Sequence, residues 1–116
     1  AEIIQSFISK SLNINISVVI TDSMSRPYRS GVTNFALASA NIQSLIDLKG
    51  ESDIYGNTLK STEIAIADEL AAAAGLLMGQ VDELKPVILM KGFSKSSYVI
   101  NDALDLTVDE KNDLYR

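Results

Sequence analysis

The feature of this sequence that most constrains its fold is a succession of strand-like segments with no helical segment between them. Residues 14–21 are β-branched and largely apolar, residues 34–42 are small and apolar, and residues 58–66 alternate between two faces. A doubly wound α/β fold needs a helix between successive strands, so this order disfavours it. The sequence therefore predicts an α+β fold, in which a mixed sheet of buried strands is flanked by helices.

Two helices are predicted on either side of these strands. The first covers residues 1–12, where apolar residues recur at spacings of three and four. The second begins at Asp68, which is placed to cap it, and ends at Met78 with Gly79 just beyond. Its alanine-rich centre favours a helix that packs closely against a neighbouring element.

The remaining segments are expected to be short or irregular. Residues 23–33 contain a proline and a glycine and predict a loop, while residues 44–49 predict a helical turn. Residues 53–57 predict a turn, and residues 87–90 predict a further strand. The last part, residues 91–116, is polar and weakly patterned.

Composition limits both the size of the core and the kinds of partner. With 116 residues, 47% of them hydrophobic, and no linker, the chain predicts a single domain or fragment over residues 1–116. A net charge of −5 argues against nucleic acid and anionic membranes, because both require a cationic surface. No apolar run approaches the ~20 residues that span a bilayer, and the lack of cysteine is compatible with a cytoplasmic protein. Because Ala1 opens directly into a helical pattern, we expect a fragment or a processed product.

The absence of histidine and cysteine restricts the chemistry to carboxylates, cations, hydroxyls and backbone groups. Asp22 ends an apolar segment, where an aspartate is either a turn former or a ligand for Mg²⁺ or Mn²⁺. One carboxylate does not make a metal site, and Glu63 is the best partner for it. Glu63 lies either on an exposed face of its alternating segment or at a position where an unpaired charge is costly. The residues alone leave these alternatives open.

Two arginines follow Asp22 closely. Arg26 and Arg29 suit the recognition of phosphate or carboxylate groups, because guanidinium binds such anions through paired hydrogen bonds. A pair of solvated loop arginines is the simpler interpretation. Tyr28, Tyr55 and Tyr98 are candidates for stacking on a ring system or for ordinary packing. Neither GxGxxG nor GxxxxGKS occurs, so no standard nucleotide-binding loop is predicted.

Four ordered sequence blocks nevertheless carry a specific resemblance. They are Thr21–Gly31, Leu48–Gly56, Leu59–Ala74 followed by Leu77-Met78-Gly79, and the tail Asn112–Arg116. Together they resemble the coenzyme F420:L-glutamate ligase family, also described as F420-0 γ-glutamyl ligases, in the C-terminal portion of the ligase domain.

The resemblance implies a GTP-dependent amide ligase with an α+β fold. Such an enzyme phosphorylates a terminal carboxylate of the deazaflavin F420 precursor. The amine of L-glutamate then displaces phosphate and leaves a γ-linked glutamyl tail. The resemblance further implies Mg²⁺ or Mn²⁺ as the cofactor and a homodimeric assembly.

The resemblance also assigns roles to particular residues. Asp22 and Glu63 are implied ligands of one metal ion, and Ile64 lies at a second ion, to which it can offer only its backbone carbonyl. Ser25 is implied to lie at the nucleotide. The acidic segment from Asp109 to Arg116, represented by Asp113, is implied to approach the GTP phosphates. Arg26 and Arg29 are expected to add cationic stabilisation there.

Departures from the family pattern keep other functions open. The family usually has glycine where Ser25 and Ala38 stand, glutamine where Val32 stands, and arginine where Lys91 stands. A divergent amide ligase acting on another carboxylate, or a non-catalytic interaction or structural module, are therefore alternatives. Because the family's N-terminal part also contacts GTP, we expect that residues 1–116 alone do not catalyse ligation.

Overall fold

The α+β class predicted from the sequence is confirmed. The computed structural model describes residues 1–93 and 99–113. Its elements, in chain order, are α1 (Glu2–Leu12), β1 (Val18–Arg26), β2 (Arg29–Ala40), β3 (Ile46–Asp47), β4 (Glu63–Ile64), α2 (Ile66–Met78) and the 3₁₀-helices Ala103–Leu106 and Glu110–Asn112. The strands form two antiparallel pairs, β1–β2 and β3–β4, whereas the sequence suggested one mixed sheet.

The longest feature of the fold is the β1–β2 hairpin. Its register pairs Val18 with Ala40 at the open end and Arg26 with Arg29 at the turn. The prediction of a loop over residues 23–33 is wrong, because both strands continue almost to the turn. Proline fixes φ at Pro27, and Tyr28 adopts a positive φ of 56°, so two residues suffice to reverse the chain. The polar side chains on either side do not prevent strand pairing, which uses backbone groups only.

The hairpin strands are less buried than the sequence predicted. No residue of β1 is fully buried, and in β2 only Asn34, Ser39 and Ala40 are. A two-stranded ribbon covered by one helix leaves apolar side chains outside, such as Leu37, which is 54% exposed. The helix α1 is confirmed at residues 2–12 but contributes no buried residue. The small core is therefore assembled around the contact between β2 and α2.

Helix α2 contributes Ile66, Ala67 and Ala71 to that core. It begins at Ile66, before the predicted cap at Asp68, and the expected capping role is wrong. The Asp68 carboxylate instead accepts a hydrogen bond from the backbone N–H of Ala36 at 2.8 Å, which ties the first turn of α2 to β2. The predicted end is confirmed, with Met78 as the last helical residue and Gly79 following it.

The second strand pair replaces two predicted elements. Residues 44–49 do not form a helical turn, because Ile46 and Asp47 pair with Ile64 and Glu63. The predicted strand over residues 58–66 shortens to those two positions of β4. The predicted turn at residues 53–57 is confirmed. Within it the Asp53 carboxylate accepts hydrogen bonds from the N–H groups of Tyr55 and Asn57, both at 2.8 Å.

The chain after α2 returns to this small sheet. The side-chain oxygen of Asn101 accepts hydrogen bonds from the N–H groups of Ser44 and Leu45 at 2.6 and 3.2 Å. This contact holds the following 3₁₀-helix against β2 and buries Ala103. Residues 87–90, which lie within the described part, do not form the predicted strand. No helix among the described residues is long and apolar enough to cross a membrane.

Candidate active site

A cleft of about 530 Å³ lies beside Asp22. Residues 21–23 of β1 form one side and Asn34 of β2 lies at its base. The opposite side consists of Met78 and the irregular segment that follows α2, including Gln80 and Lys85. The cleft therefore brings two acidic side chains, Asp22 and Glu83, together with one basic and two amide side chains, to one surface.

Asp22 lies on β1, opposite Phe35, and its side chain is exposed. The backbone N–H of Ser23 donates a hydrogen bond to Asp22 Oδ1 at 2.7 Å. Among residues 1–93 and 99–113 this is the hydrogen bond that the Asp22 carboxylate makes, so its other oxygen is available to a ligand. The interpretation of Asp22 as a turn residue is wrong, because β1 continues through it to Arg26.

Asn34 makes the base of the cleft polar. It is only 7% exposed, and its Oδ1 accepts a hydrogen bond from Gln80 Nε2 at 2.7 Å. Its Nδ2 donates to Thr21 Oγ1 at 3.3 Å. Gly75 of α2 packs directly on this side chain, because a Cβ at that position would lie 2.7 Å from Asn34 Oδ1.

The negative charge of Glu63 is balanced by a neighbouring lysine. It lies in β4 opposite Asp47 and is exposed. Lys49 Nζ lies 2.7 Å from Glu63 Oε1 and 3.4 Å from Asp47 Oδ2. The hydrogen bond to Glu63 is the main reason that the pKa of Lys49 is raised. The backbone N–H of Lys49 is the main reason that the pKa of Asp47 is lowered. Ile64 follows in β4, paired with Ile46 and partly buried.

The two proposed metal ligands belong to different strand pairs. Glu63 does not line the cleft that contains Asp22. Helix α2 joins the segments that carry them. Its Asp68 accepts a hydrogen bond from the backbone of Ala36. Ala36 in turn pairs with Thr21, which precedes Asp22 in β1. In the described ranges, 1–93 and 99–113, no group of three carboxylates lies close enough together to hold a metal ion.

The predicted nucleotide-contacting residues concentrate at the tip of the hairpin. Ser25 is exposed opposite Val32, and Arg26 lies opposite Arg29. Arg26 Nη2 donates to the carbonyl of Ser30 at 3.3 Å, and its buried Nε has no hydrogen-bond partner in the described part of the chain. At about 3.3 Å per strand residue, Arg26 lies about 13 Å along β1 from Asp22. These groups would therefore contact different parts of a ligand.

Only part of the C-terminal segment that is predicted to approach the GTP phosphates lies within the described residues. Asp113 is exposed and follows the second 3₁₀-helix. The rest of the tail, residues 114–116, and Tyr98 lie outside the described residues. Sequence reasoning missed the polar residues of the cleft that follow α2, which are Gln80, Glu83 and Lys85. The signal that could have indicated them is Gly79, since a glycine after a helix lets the chain turn back over the helix end.

The donor atoms fit a hard divalent cation. Carboxylate oxygens suit both Mg²⁺ and Mn²⁺. Mg²⁺ in particular is usually held by one or two carboxylates together with substrate phosphates and water, rather than by a complete protein cage. The available oxygen of Asp22 at an open cleft matches that mode.

Comparison with known proteins identifies the family. The family described as F420-0:gamma-glutamyl ligase matches residues 1–92. A coenzyme F420:L-glutamate ligase of Methanocaldococcus jannaschii is 39% identical over all 116 residues, which are 46% of that relative. A protein of the same name from Methanothermobacter thermautotrophicus is 45% identical over 78 residues, 67% of this chain and 31% of the relative. The chain thus spans less than half the length of these relatives, and it belongs to the F420-0:gamma-glutamyl ligase family.

Proposed function

We propose that this chain carries the metal-binding part of a GTP-dependent ligase that joins L-glutamate to the coenzyme F420 precursor through a γ-linkage. The observation that carries the proposal is the available Asp22 carboxylate at a polar cleft, in a chain that belongs to this ligase family. The names of the two methanogen relatives support the glutamate and F420 substrates.

The reaction has two stages. The terminal phosphoryl group of GTP passes to a carboxylate oxygen of the precursor, which gives an acyl phosphate and GDP. The amine of L-glutamate then attacks the acyl carbon, an amide bond forms, and phosphate leaves as the amine loses its proton. A bound Mg²⁺ or Mn²⁺ would supply neutralisation of the charge on the transferred phosphoryl group.

Different residues of this chain would bind the metal ions and the substrates. Asp22 and Glu63 would hold the first ion, and the backbone carbonyl of Ile64 would contribute to the second. Lys85 lies on the same cleft as Asp22 and is suited to an anionic group of a substrate. The other proposed nucleotide contacts are Ser25, Arg26, Arg29 and Asp113.

A second candidate, a related ligase with a different carboxylate acceptor, is favoured by one specific observation. Ser25 and Val32, which both depart from the residues usual in the family, are direct partners across the hairpin, and both are exposed. The two departures therefore change one patch of surface. Assaying the ligase with the F420 precursor and with other carboxylates distinguishes the two candidates. Preference for another acceptor would favour the second.

Calorimetric titration with Mn²⁺, in the presence and absence of GTP, tests the metal site. We expect Asp22→Asn to weaken Mn²⁺ binding at least about tenfold, since even the loss of a residue that only orients a ligand lowers metal affinity about 10–100-fold. Asp105→Asn is the matched control, because this exposed acid lies outside the cleft. Equal affinities for the unaltered chain and Asp22→Asn would contradict the proposal and favour a structural module.

The proposal also includes the oligomeric state and the cellular location of the protein. A homodimer, as the resemblance implied, would appear in sedimentation equilibrium as twice the mass of one chain. A mass equal to one chain would contradict it. The cytoplasmic location expected from the lack of cysteine stays a prediction.

A further inference from the structure

The carboxylate of Glu83 folds back onto the turn that precedes it. Glu83 Oε2 accepts a hydrogen bond from the backbone N–H of Val81 at 3.0 Å. This bond is the main reason that the pKa of Glu83 is lowered, with further contributions from the N–H groups of Glu83, Asp82 and Gln80. The Glu83 side chain therefore binds the backbone of the segment that forms a wall of the cleft.

Gly79 leaves the space that the Glu83 carboxylate occupies. Its φ of 76° lies in the left-handed region, which residues with a side chain rarely adopt. A Cβ at this position would overlap the carboxylate of Glu83. The close approach of Glu83 thus depends on the glycine that ends α2, and the two residues together define the shape of the turn from 79 to 83.

The turn is connected to Asp22 by polar contacts. Gln80 lies within it and donates to Asn34 Oδ1 at 2.7 Å. Asn34 in turn donates to the hydroxyl of Thr21 at 3.3 Å, and Thr21 immediately precedes Asp22 in β1. A change in the turn would move Gln80 first, then the buried amide of Asn34, and then the strand that presents Asp22.

We propose that Glu83 is a positioning residue, which fixes the turn over residues 79–83 so that Gln80 and Asn34 hold the Asp22 segment of β1 in place at the cleft. The role in metal binding rests on the proposed function, in which Asp22 is a metal ligand. The positioning itself rests only on the contacts of Glu83, Gln80 and Asn34.

Mn²⁺ titration of three variants tests the effect on the metal site. Glu83→Ala should weaken Mn²⁺ binding about tenfold, as expected when a residue that orients a ligand is lost. Glu83→Gln should recover part of the affinity, because its amide oxygen can still accept from Val81. Asp82→Ala is the matched control, since this exposed acid does not line the cleft, and it should bind as the unaltered chain does.

A second measurement separates positioning from general loss of stability. All titrations are made well below the unfolding midpoint of each variant, and the Asn34 side-chain amide is followed by NMR without metal. Glu83→Ala should shift the Asn34 amide and speed its exchange with water, while Asp82→Ala should leave both unchanged.

The outcomes distinguish this inference from the proposed function. If the unaltered chain binds Mn²⁺ and Glu83→Ala binds it equally well, the positioning role is overturned. If the unaltered chain does not bind Mn²⁺, the proposed metal site fails, and the NMR measurement then decides the positioning role alone. An Asn34 amide that is unaffected by Glu83→Ala overturns it in either case.

Discussion

Gly75→Ala is a substitution for which helix propensity and tertiary packing predict opposite results. Gly75 lies inside α2, and replacing a helical glycine with alanine is worth about 1 kcal/mol of helix propensity. The structure predicts a loss instead, because the new Cβ would lie 2.7 Å from Asn34 Oδ1 and 2.8 Å from Asn34 Cγ. Asn34 is buried and cannot move away without giving up its own contacts.

The expected size follows from those contacts. Overpacking a buried position costs about 1–3 kcal/mol. Displacing Asn34 also weakens its hydrogen bonds with Gln80 and Thr21, each worth about 1 kcal/mol. After subtraction of the propensity gain, we expect Gly75→Ala to lower the free energy of unfolding by about 2 kcal/mol. With a urea m-value of about 2 kcal/mol/M, the midpoint would fall by about 1 M.

Urea unfolding followed by circular dichroism measures this directly. Ala73→Gly, at an exposed position of the same helix, is the control that reports propensity alone. In the Asn34→Ala background the added methyl group finds space, so Gly75→Ala should there stabilise the chain. A midpoint that rises for Gly75→Ala in the unaltered background would refute the reasoning, because propensity would then outweigh the contact.

Three further predictions concern hydrogen bonds and ion pairs made by carboxylate side chains. Asp68→Ala should lower the free energy of unfolding in urea by about 2 kcal/mol, because it removes the charged acceptor of the Ala36 N–H. Asp68→Asn should retain most of the stability. Equal losses for the two variants would contradict this role of Asp68. The pKa of Asp53 is held below the ordinary value of an aspartate, chiefly by the hydrogen bond from the side chain of Asn57. The stability that the Asp53 carboxylate gives to the turn is therefore present above that value and lost as pH falls through the lower folded pKa. The protection factor of the Asn57 amide, which is corrected for the intrinsic exchange rate, should therefore fall in acid, and Asp53→Asn should abolish this pH dependence. Lys49→Met should strengthen Mn²⁺ binding about two- to fivefold at low salt, since the ammonium competes for the Glu63 carboxylate; unchanged affinity would argue against Glu63 as a ligand.

The sequence predicted well the elements that depend on near neighbours. Helix α1 follows from apolar spacing, and the end of α2 follows from alanine-rich residues and Gly79. The turn at residues 53–57 follows from an aspartate that binds amides two and four residues ahead. In each case the partners lie within a few residues, so the pattern that predicts the element also contains the groups that stabilise it.

The sequence also selected Asp22 and Glu63 as candidate ligands, because their type and place in apolar segments are visible without coordinates. It did not reveal their surroundings. The exposed ion pair of Glu63 depends on Lys49, 14 residues away. The cleft of Asp22 depends on Gln80 and Lys85, which reach β1 only because α2 packs across the hairpin.

Tertiary structure alone decided the elements whose hydrogen bonds cross long stretches of chain. The polar residues 23–33 form strand because β1 and β2 pair with each other, and residues 46–47 form strand because β4 lies beside them. Asp68 binds Ala36, 32 residues away, instead of capping its own helix. Local sequence determined the helices and the chemical types of the candidate ligands. Strand pairing and the packing of α2 decided which of those groups share a cleft, because backbone and carboxylate groups bind whichever partners the fold brings to them.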